Sequence, residues 1–278
     1  MNAPPRALFR APATATSSWS LAAVSLLGVS LFAWPFTGLA LPPETGALAL
    51  TLAAILALVL VGVGTQRLDN RRLALLAVIA ALDAGLRLAL VTGIAGFTPI
   101  FFLILCAGYV YGASFGFLSG SVALLVSALV TGGVGPWLPY EMFAAGWVGA
   151  AAGMLTPSSP RVPVRRDIVV LALAGLLLGY IYGAATDVYD WSVFYRGVPG
   201  LGWTPGIGAP EAISRFVRFY LATSLAWDSF RAAGNFVMLM ALGAPVLAAM
   251  SRFRSRFTLV VEPPARPLPT AVEQPGEA

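Results

Sequence analysis

Residues 97–131 read FTPIFFLILCAGYVYGASFGFLSGSVALLVSALVT, from Phe97 to Thr131, without a single charged side chain. A membrane helix needs about 20 apolar residues, so the run is too long for one span and too short for two full ones. Gly108 and Gly112 interrupt it. This predicts a short helix over 98–111 and a second over 114–131. Working outward, further spans are expected at 19–41 and 46–63, parted by the turn Leu41-Pro42-Pro43-Glu44, and at 73–91, 138–155, 168–185 and 219–250. The expected fold is all-α and polytopic, with eight membrane helices. The whole chain agrees: 58% of its 278 residues are hydrophobic, 10% are charged and the mean hydropathy is +0.83. Soluble domains carry about 25% charge, which excludes a soluble enzyme or a nucleic-acid binder.

All 17 basic residues are arginine, histidine is absent, and Cys106 is the one cysteine. Without lysine there is no P-loop lysine and no Schiff base, so the chain is not its own conventional ATPase. Without histidine, most zinc, haem and triad chemistry is missing. No cofactor and no metal site are implied. Arginines mark the cytoplasmic side of short membrane loops. Arg6 and Arg10, then Arg67, Arg71 and Arg72, then Arg161, Arg165 and Arg166, and last Arg252, Arg254 and Arg256 all fall on one face of an eight-helix chain. Both termini are therefore expected in the cytoplasm of a cell-membrane protein. The opposite short loops, 42–45, 92–96 and 131–136, have no arginine; the longer outer segment 186–218 has Arg196, Arg215 and Arg218. The first apolar stretch exceeds a signal-peptide core and reads as a retained anchor. Residues 258–278, rich in proline and glutamate, are too polar to pack and are expected to be disordered.

Ionisable groups inside a bilayer are costly, so each is a functional candidate. Asp83 and Arg87 fall in the outer half of the third span, and Glu141 opens the sixth at its outer end. At 100° per residue, Ser224, Asp228, Arg231 and Asn235 share an arc of roughly 60° on the last span. The cytoplasmic halves are apolar, so the pattern is a polar cup open to the outside over an apolar floor. Two readings stand for Asp228 with Arg231: a self-neutralising pair, or the wall of a ligand cavity. The same two stand for Asp83 with Arg87. The outer loops are aromatic, with Trp137 and Tyr140 in one and Tyr189, Trp191, Phe194, Tyr195 and Trp203 in the other. Aromatics on one face only suit a lid over an organic ligand. Ala74, Ala77, Ala81 and Ala84 form a small-residue face on the third span, fit for internal packing or for a partner helix. Gly112, Gly116 and Gly120, with Gly149 and Gly153, read as core packing.

The segments Ala107-Gly108-Tyr109-Val110-Tyr111-Gly112, Gly116-Phe117-Leu118-Ser119-Gly120 and Gly135-Pro136-Trp137-Leu138-Pro139-Tyr140-Glu141-Met142-Phe143-Ala144-Ala145-Gly146, with Arg231-Ala232-Ala233-Gly234-Asn235, resemble the substrate-binding (S) components of energy-coupling factor (ECF) vitamin transporters. The Gly-Pro-Trp-x-Pro stretch is the most specific part, and it is most similar to members assigned to cobalamin or its precursors. The resemblance implies a six-helix substrate-binding core, here 72–257, preceded by a cytoplasmic tail (1–18) and two additional transmembrane helices (19–63) outside the family pattern. It implies a vitamin-like ligand held near the outer surface under loops 92–97, 132–140 and 186–218. It implies as partners a transmembrane T component and two cytosolic ATPases. It also implies docking of the T component on an Ala-x-x-x-Ala face, matched by Ala77 with Ala81 or Ala80 with Ala84. Substrate contacts would come from Trp137, Tyr140, Glu141, Ser224, Asp228, Arg231 and Asn235, and from Asp83 and Arg87. Two other classes remain open: a membrane-embedded enzyme using Asp228, Asp187 or Glu141 as general base, and a proton-coupled secondary carrier, for which no internal repeat is evident.

Overall fold

The structure is a computed structural model that describes residues 15–37, 44–64, 68–90, 100–157 and 163–255. Most of the N-terminal tail, outer loop 92–97, residues 258–278, and Arg6, Arg10, Arg67, Arg161 and Arg256 lie outside the described residues. Among the described residues the fold is entirely helical: α1 (Ala15–Ala33), α2 (Glu44–Gly64), α3 (Asn70–Leu90), α4 (Phe102–Tyr111), α5 (Ala113–Thr131), α6 (Leu138–Met154), α7 (Arg165–Val193), α8 (Ala209–Thr223) and α9 (Leu225–Ser255). Four stretches are long and apolar enough to cross a membrane: Trp19–Phe36, Ala113–Thr131, Arg165–Val193 and Leu225–Arg254. With exposed apolar side chains such as Leu26, Leu60, Leu82, Leu129, Leu177 and Val237 around the bundle, this is a multi-pass membrane protein. Such side chains face lipid, where only internally hydrogen-bonded helices are tolerated.

The break expected at Gly112 is present. Gly112 adopts φ 96°, ends α4 and starts α5, a conformation that costs glycine little. The glycines beyond it form the tightest seam in the protein. A β-carbon at Gly116 would run into the carbonyl of Gly149, and one at Gly120 into that of Ala145. Small residues let α5 and α6 approach to backbone contact.

Two boundaries differ from expectation. The region 219–250, read as one span, is two helices. Thr223 donates to the Phe219 carbonyl (2.7 Å) and shares a hydrogen bond with Ser224 (3.0 Å). The α8 ladder ends at Ser224, whose N–H donates to the Tyr220 carbonyl (3.0 Å), and α9 starts afresh with Asp228 donating to the Ser224 carbonyl (2.9 Å). A ninth helix therefore replaces part of the expected outer loop. It is amphipathic, with Phe216 and Phe219 turned inward and Ile213, Val217 and Leu221 exposed. Meanwhile α7 runs two turns past its expected end at 185, carrying Asp187 and Asp190 on a helix.

The arginine-rich helix ends gather at one end of the bundle. Arg254 donates to the Val110 carbonyl (2.7 Å), and Tyr111 donates to the Met250 carbonyl (3.0 Å). The charges of Arg72 and Arg254 both reach Tyr111. The start of α6, the end of α7 and the start of α9 meet at the opposite end.

Candidate functional site

A cavity of about 520 Å³ opens at that opposite end. Its walls come from the start of α6 (Trp137, Tyr140, Glu141), the last turns of α7 (Tyr182, Gly183, Thr186, Asp187, Tyr189, Asp190), and the α8–α9 junction (Ser224, Trp227, Asp228, Arg231). Phe194, Tyr195, Phe219 and Thr223 complete it.

The Gly-Pro-Trp-x-Pro stretch builds the first wall. Gly132 ends α5 at φ 71°, and Leu138 donates to the Gly135 carbonyl (3.0 Å) to close a turn. The indole of Trp137 folds back over Gly135, where a side chain would collide with it. Pro139 then sits in the first turn of α6, where its missing N–H is no loss. Glu141 follows in the same turn, where the helix N-terminus favours a negative charge. Tyr140 packs against Tyr189 at 4.3 Å between centroids, and Tyr189 meets Phe194 edge-on at 5.7 Å.

The second and third walls meet along an antiparallel seam. Gly175, Gly179 and Gly183 on α7 face Leu239, Ala232 and Asp228 on α9. This spacing lets the Asp228 carboxylate lie directly against the α7 backbone. Asp228 accepts hydrogen bonds from Arg231 and from the Tyr220 hydroxyl (3.0 Å). The Arg231 guanidinium lies over the ring of Tyr182, 5.2 Å from its centroid, and Tyr182 meets Phe101 edge-on at 4.7 Å. Arg231 and Asp228 thus form a neutral pair and also line the cavity. Asp187 is buried; one of its oxygens, Oδ2, has no hydrogen-bond partner among the described residues. The charges of Arg87 and Arg231 both act on Glu141.

Of the nine residues expected to touch substrate, six line this cavity: Trp137, Tyr140, Glu141, Ser224, Asp228 and Arg231. Ser224 does so from the end of α8 rather than from the last helix. Asn235 does not line it. Fully buried one turn deeper, it accepts from the Phe101 N–H (3.0 Å) at the start of α4 and donates to the Arg231 carbonyl (2.8 Å). Both ends of its amide are used inside the protein. Asp83 and Arg87 also fall outside the lining. Asp83 is buried with neither oxygen hydrogen-bonded among the described residues, and Arg87 one turn on acts on it electrostatically.

The outer aromatics divide. Tyr189, Phe194 and Tyr195 line the cavity, whereas Trp191 and Trp203 form a small core with Phe219. Trp191 donates to the Leu201 carbonyl (2.7 Å). Arg215 and Arg218 tie α8 to the same loop through the carbonyls of Gly202 (3.2 Å) and Gly200 (3.1 Å). The Arg215 guanidinium, hydrogen-bonded to the exposed Glu211, holds that carboxyl below its usual range.

The first of the two N-terminal helices packs on the wall of the cavity. Gly28 of α1 packs against Phe143 and Trp147 of α6, Trp147 donates to Ser25 (3.2 Å), and Phe32 meets Tyr140 edge-on at 5.1 Å. Phe36 then reaches the small outer core, 5.4 Å from Trp203. Alpha helix one therefore braces both the α6 wall and the outer loop.

Tyr182, Thr186 and Trp227 were missed as lining residues. The signal for Tyr182 and Thr186 is the helical spacing of Gly179, Tyr182, Gly183, Thr186 and Asp190, one face of α7 that continues beyond the apolar span; Trp227, on α9, has no such signal. In comparisons with protein-family models, with curated proteins and with solved structures, the chain matches none.

Proposed function

We propose that this protein is the substrate-binding component of an ECF-type importer, which captures a vitamin or vitamin precursor from outside and passes it inward with a T component and two separate ATPases. The observation that carries the reading is the depth of the cavity. Its polar and aromatic groups sit at the end of the bundle opposite the arginines, and the positive-inside rule assigns the arginine end to the cytoplasm. A binding cup that faces outward over an apolar floor captures a solute but does not by itself conduct it. A partner must move the whole component or open the floor. The reading requires no covalent chemistry from this chain.

A volume of about 520 Å³ falls within the usual range of small-molecule sites, about 300–1,000 Å³. It suits a precursor-sized molecule better than an intact corrinoid. On the exposed side of α3, Ala77 and Ala81 are open to a partner helix, whereas Ala80 and Ala84 are buried within the protein. This exposure supports Ala77 and Ala81, rather than Ala80 and Ala84, as the docking face.

The test is co-expression of the tagged chain with a T component and both ATPases, followed by purification in nanodiscs, native mass spectrometry and ATP-dependent uptake. A stable four-part complex with a small molecule in the solitary chain is expected. A chain that never assembles with such a module, and whose uptake activity persists without ATP, overturns the reading.

A further inference from the structure

We infer that the cup takes an organic cation, a molecule with a flat ring and a positively charged nitrogen. The inference rests on the reading of this cavity as the ligand site. Four carboxylates line the cavity (Glu141, Asp187, Asp190 and Asp228) against one guanidinium, Arg231. Arg231 is partly engaged: Asp228 pairs with one of its terminal nitrogens and the Tyr182 ring covers its plane, while its buried Nε has no acceptor among the described residues. Glu141, Asp187 and Asp190 are left without an ion pair among the described residues.

Asp187 is the decisive group. Its side chain is more than nine-tenths buried, lines the cavity, and leaves Oδ2 without a hydrogen-bond donor. A buried carboxylate oxygen without a partner is costly, and an N–H or ammonium group that enters the wall beside Ser224 and reaches it would remove that cost. The other arginines of the outer segment are held elsewhere. Arg215 is bound to Glu211, Arg218 to Ser214 and the Gly200 carbonyl, and Arg196 lies over Trp203. Arg87 influences Glu141 from α3 but does not line the cavity.

The remaining wall has the same preference. Trp137, Tyr140, Tyr182, Tyr189 and Trp227 all line the cup, and aromatic faces attract cations most strongly where water is excluded. A ligand carboxylate or phosphate would meet three carboxyl groups and an arginine that already shares its charge with Asp228. The fork of Arg231, a natural anion receptor when free, is here a structural member of the wall.

The test uses the full chain in nanodiscs and three probes of similar shape: N-methylquinolinium, neutral quinoline and naphthalene-1-sulfonate. Calorimetric titration should show the cation binding at least about 10-fold more tightly than either of the others. Asp187→Asn and Glu141→Gln should each weaken the cation by about 10-fold with little change in melting temperature, a larger loss than either causes for quinoline. Native mass spectrometry of the untreated protein should find a cationic molecule retained. Tighter binding of the sulfonate or quinoline, a retained anion or neutral molecule, or cation affinity unchanged in both variants overturns the cation assignment while the cup remains a ligand site. If none of the three probes binds and nothing is retained, the importer reading falls with it.

Discussion

The backbone of Gly183 lies so close to the Asp228 carboxylate that a β-carbon at 183 would overlap both carboxylate oxygens. This contact joins α7 to α9 at the rim of the cavity and fixes where Arg231 is held. Gly183→Ala is expected to push Asp228 off the α7 surface and to loosen its pair with Arg231. Overpacking of this kind typically costs about 1–3 kcal/mol. Thermal unfolding in detergent should show the loss, and cation binding should fall with it. Gly85→Ala is the control: a β-carbon there meets nothing within 4 Å, so the melting temperature should hold or rise slightly, since alanine favours helix over glycine.

Phe32 connects the N-terminal helices to the cavity through its edge-on contact with Tyr140. Phe32→Ala removes that brace and part of the packing on Trp147, 5.5 Å away. An aromatic pair contributes about 0.5–1.5 kcal/mol beyond the buried area. A 3- to 10-fold loss of ligand affinity is therefore expected, with the helical content seen by circular dichroism retained. Equal affinity in the variant would show that α1 packs on the core without shaping the site.

How far this was legible depended on whether the signal was local. The break at Gly112 could be read because a glycine interrupts an uncharged run of known excess length. The cup's front wall could be read because Trp137, Tyr140 and Glu141 follow one another in a turn and the first helical turn after it. The α8–α9 junction could not. Ile213, Val217 and Leu221 continue the apolar pattern of the following span, and only the Thr223 and Ser224 hydroxyls, ordinary inside membrane helices, mark the break. Asn235 shows a different limit. An amide in an apolar helix suits a ligand or a helix end equally well, and only the placement of Phe101 beside it decides. The back wall on α7 escaped because the apolar span was ended at 185, while the helix continues to Val193.

Asn235→Ala should accordingly act through the fold. Two hydrogen bonds are lost, and the Phe101 N–H at the start of α4 is left buried without an acceptor. A buried unsatisfied donor costs about 1–3 kcal/mol. A clear drop in melting temperature is expected, with ligand affinity falling no further than the folded fraction does. Asn235→Asp keeps the acceptor for Phe101 and should recover part of the stability only if its carboxyl is protonated so deep in the bundle. A variant that stays stable yet loses all binding would return Asn235 to the ligand site.

Ala77 and Ala81 are both exposed on α3, one turn apart, beside the exposed Val78 and Leu82. Close helix approach needs small side chains, and in the proposed importer this is where the T component docks. Ala77→Trp and Ala81→Trp each place a bulky ring on that surface without touching the core. Exposed substitutions usually change stability by no more than about 0.5 kcal/mol, so the solitary chain should melt normally and bind its cation normally. Capture of the T component and ATP-driven uptake should drop at least about 10-fold, the loss set by how far the two helices are forced apart. Ala80→Trp is the counter-experiment. Ala80 is buried, so this ring must disturb the packing of α3 and lower the melting temperature of the chain alone. If the Ala77 and Ala81 variants assemble as well as the parent chain, that face looks onto lipid and the T component docks elsewhere.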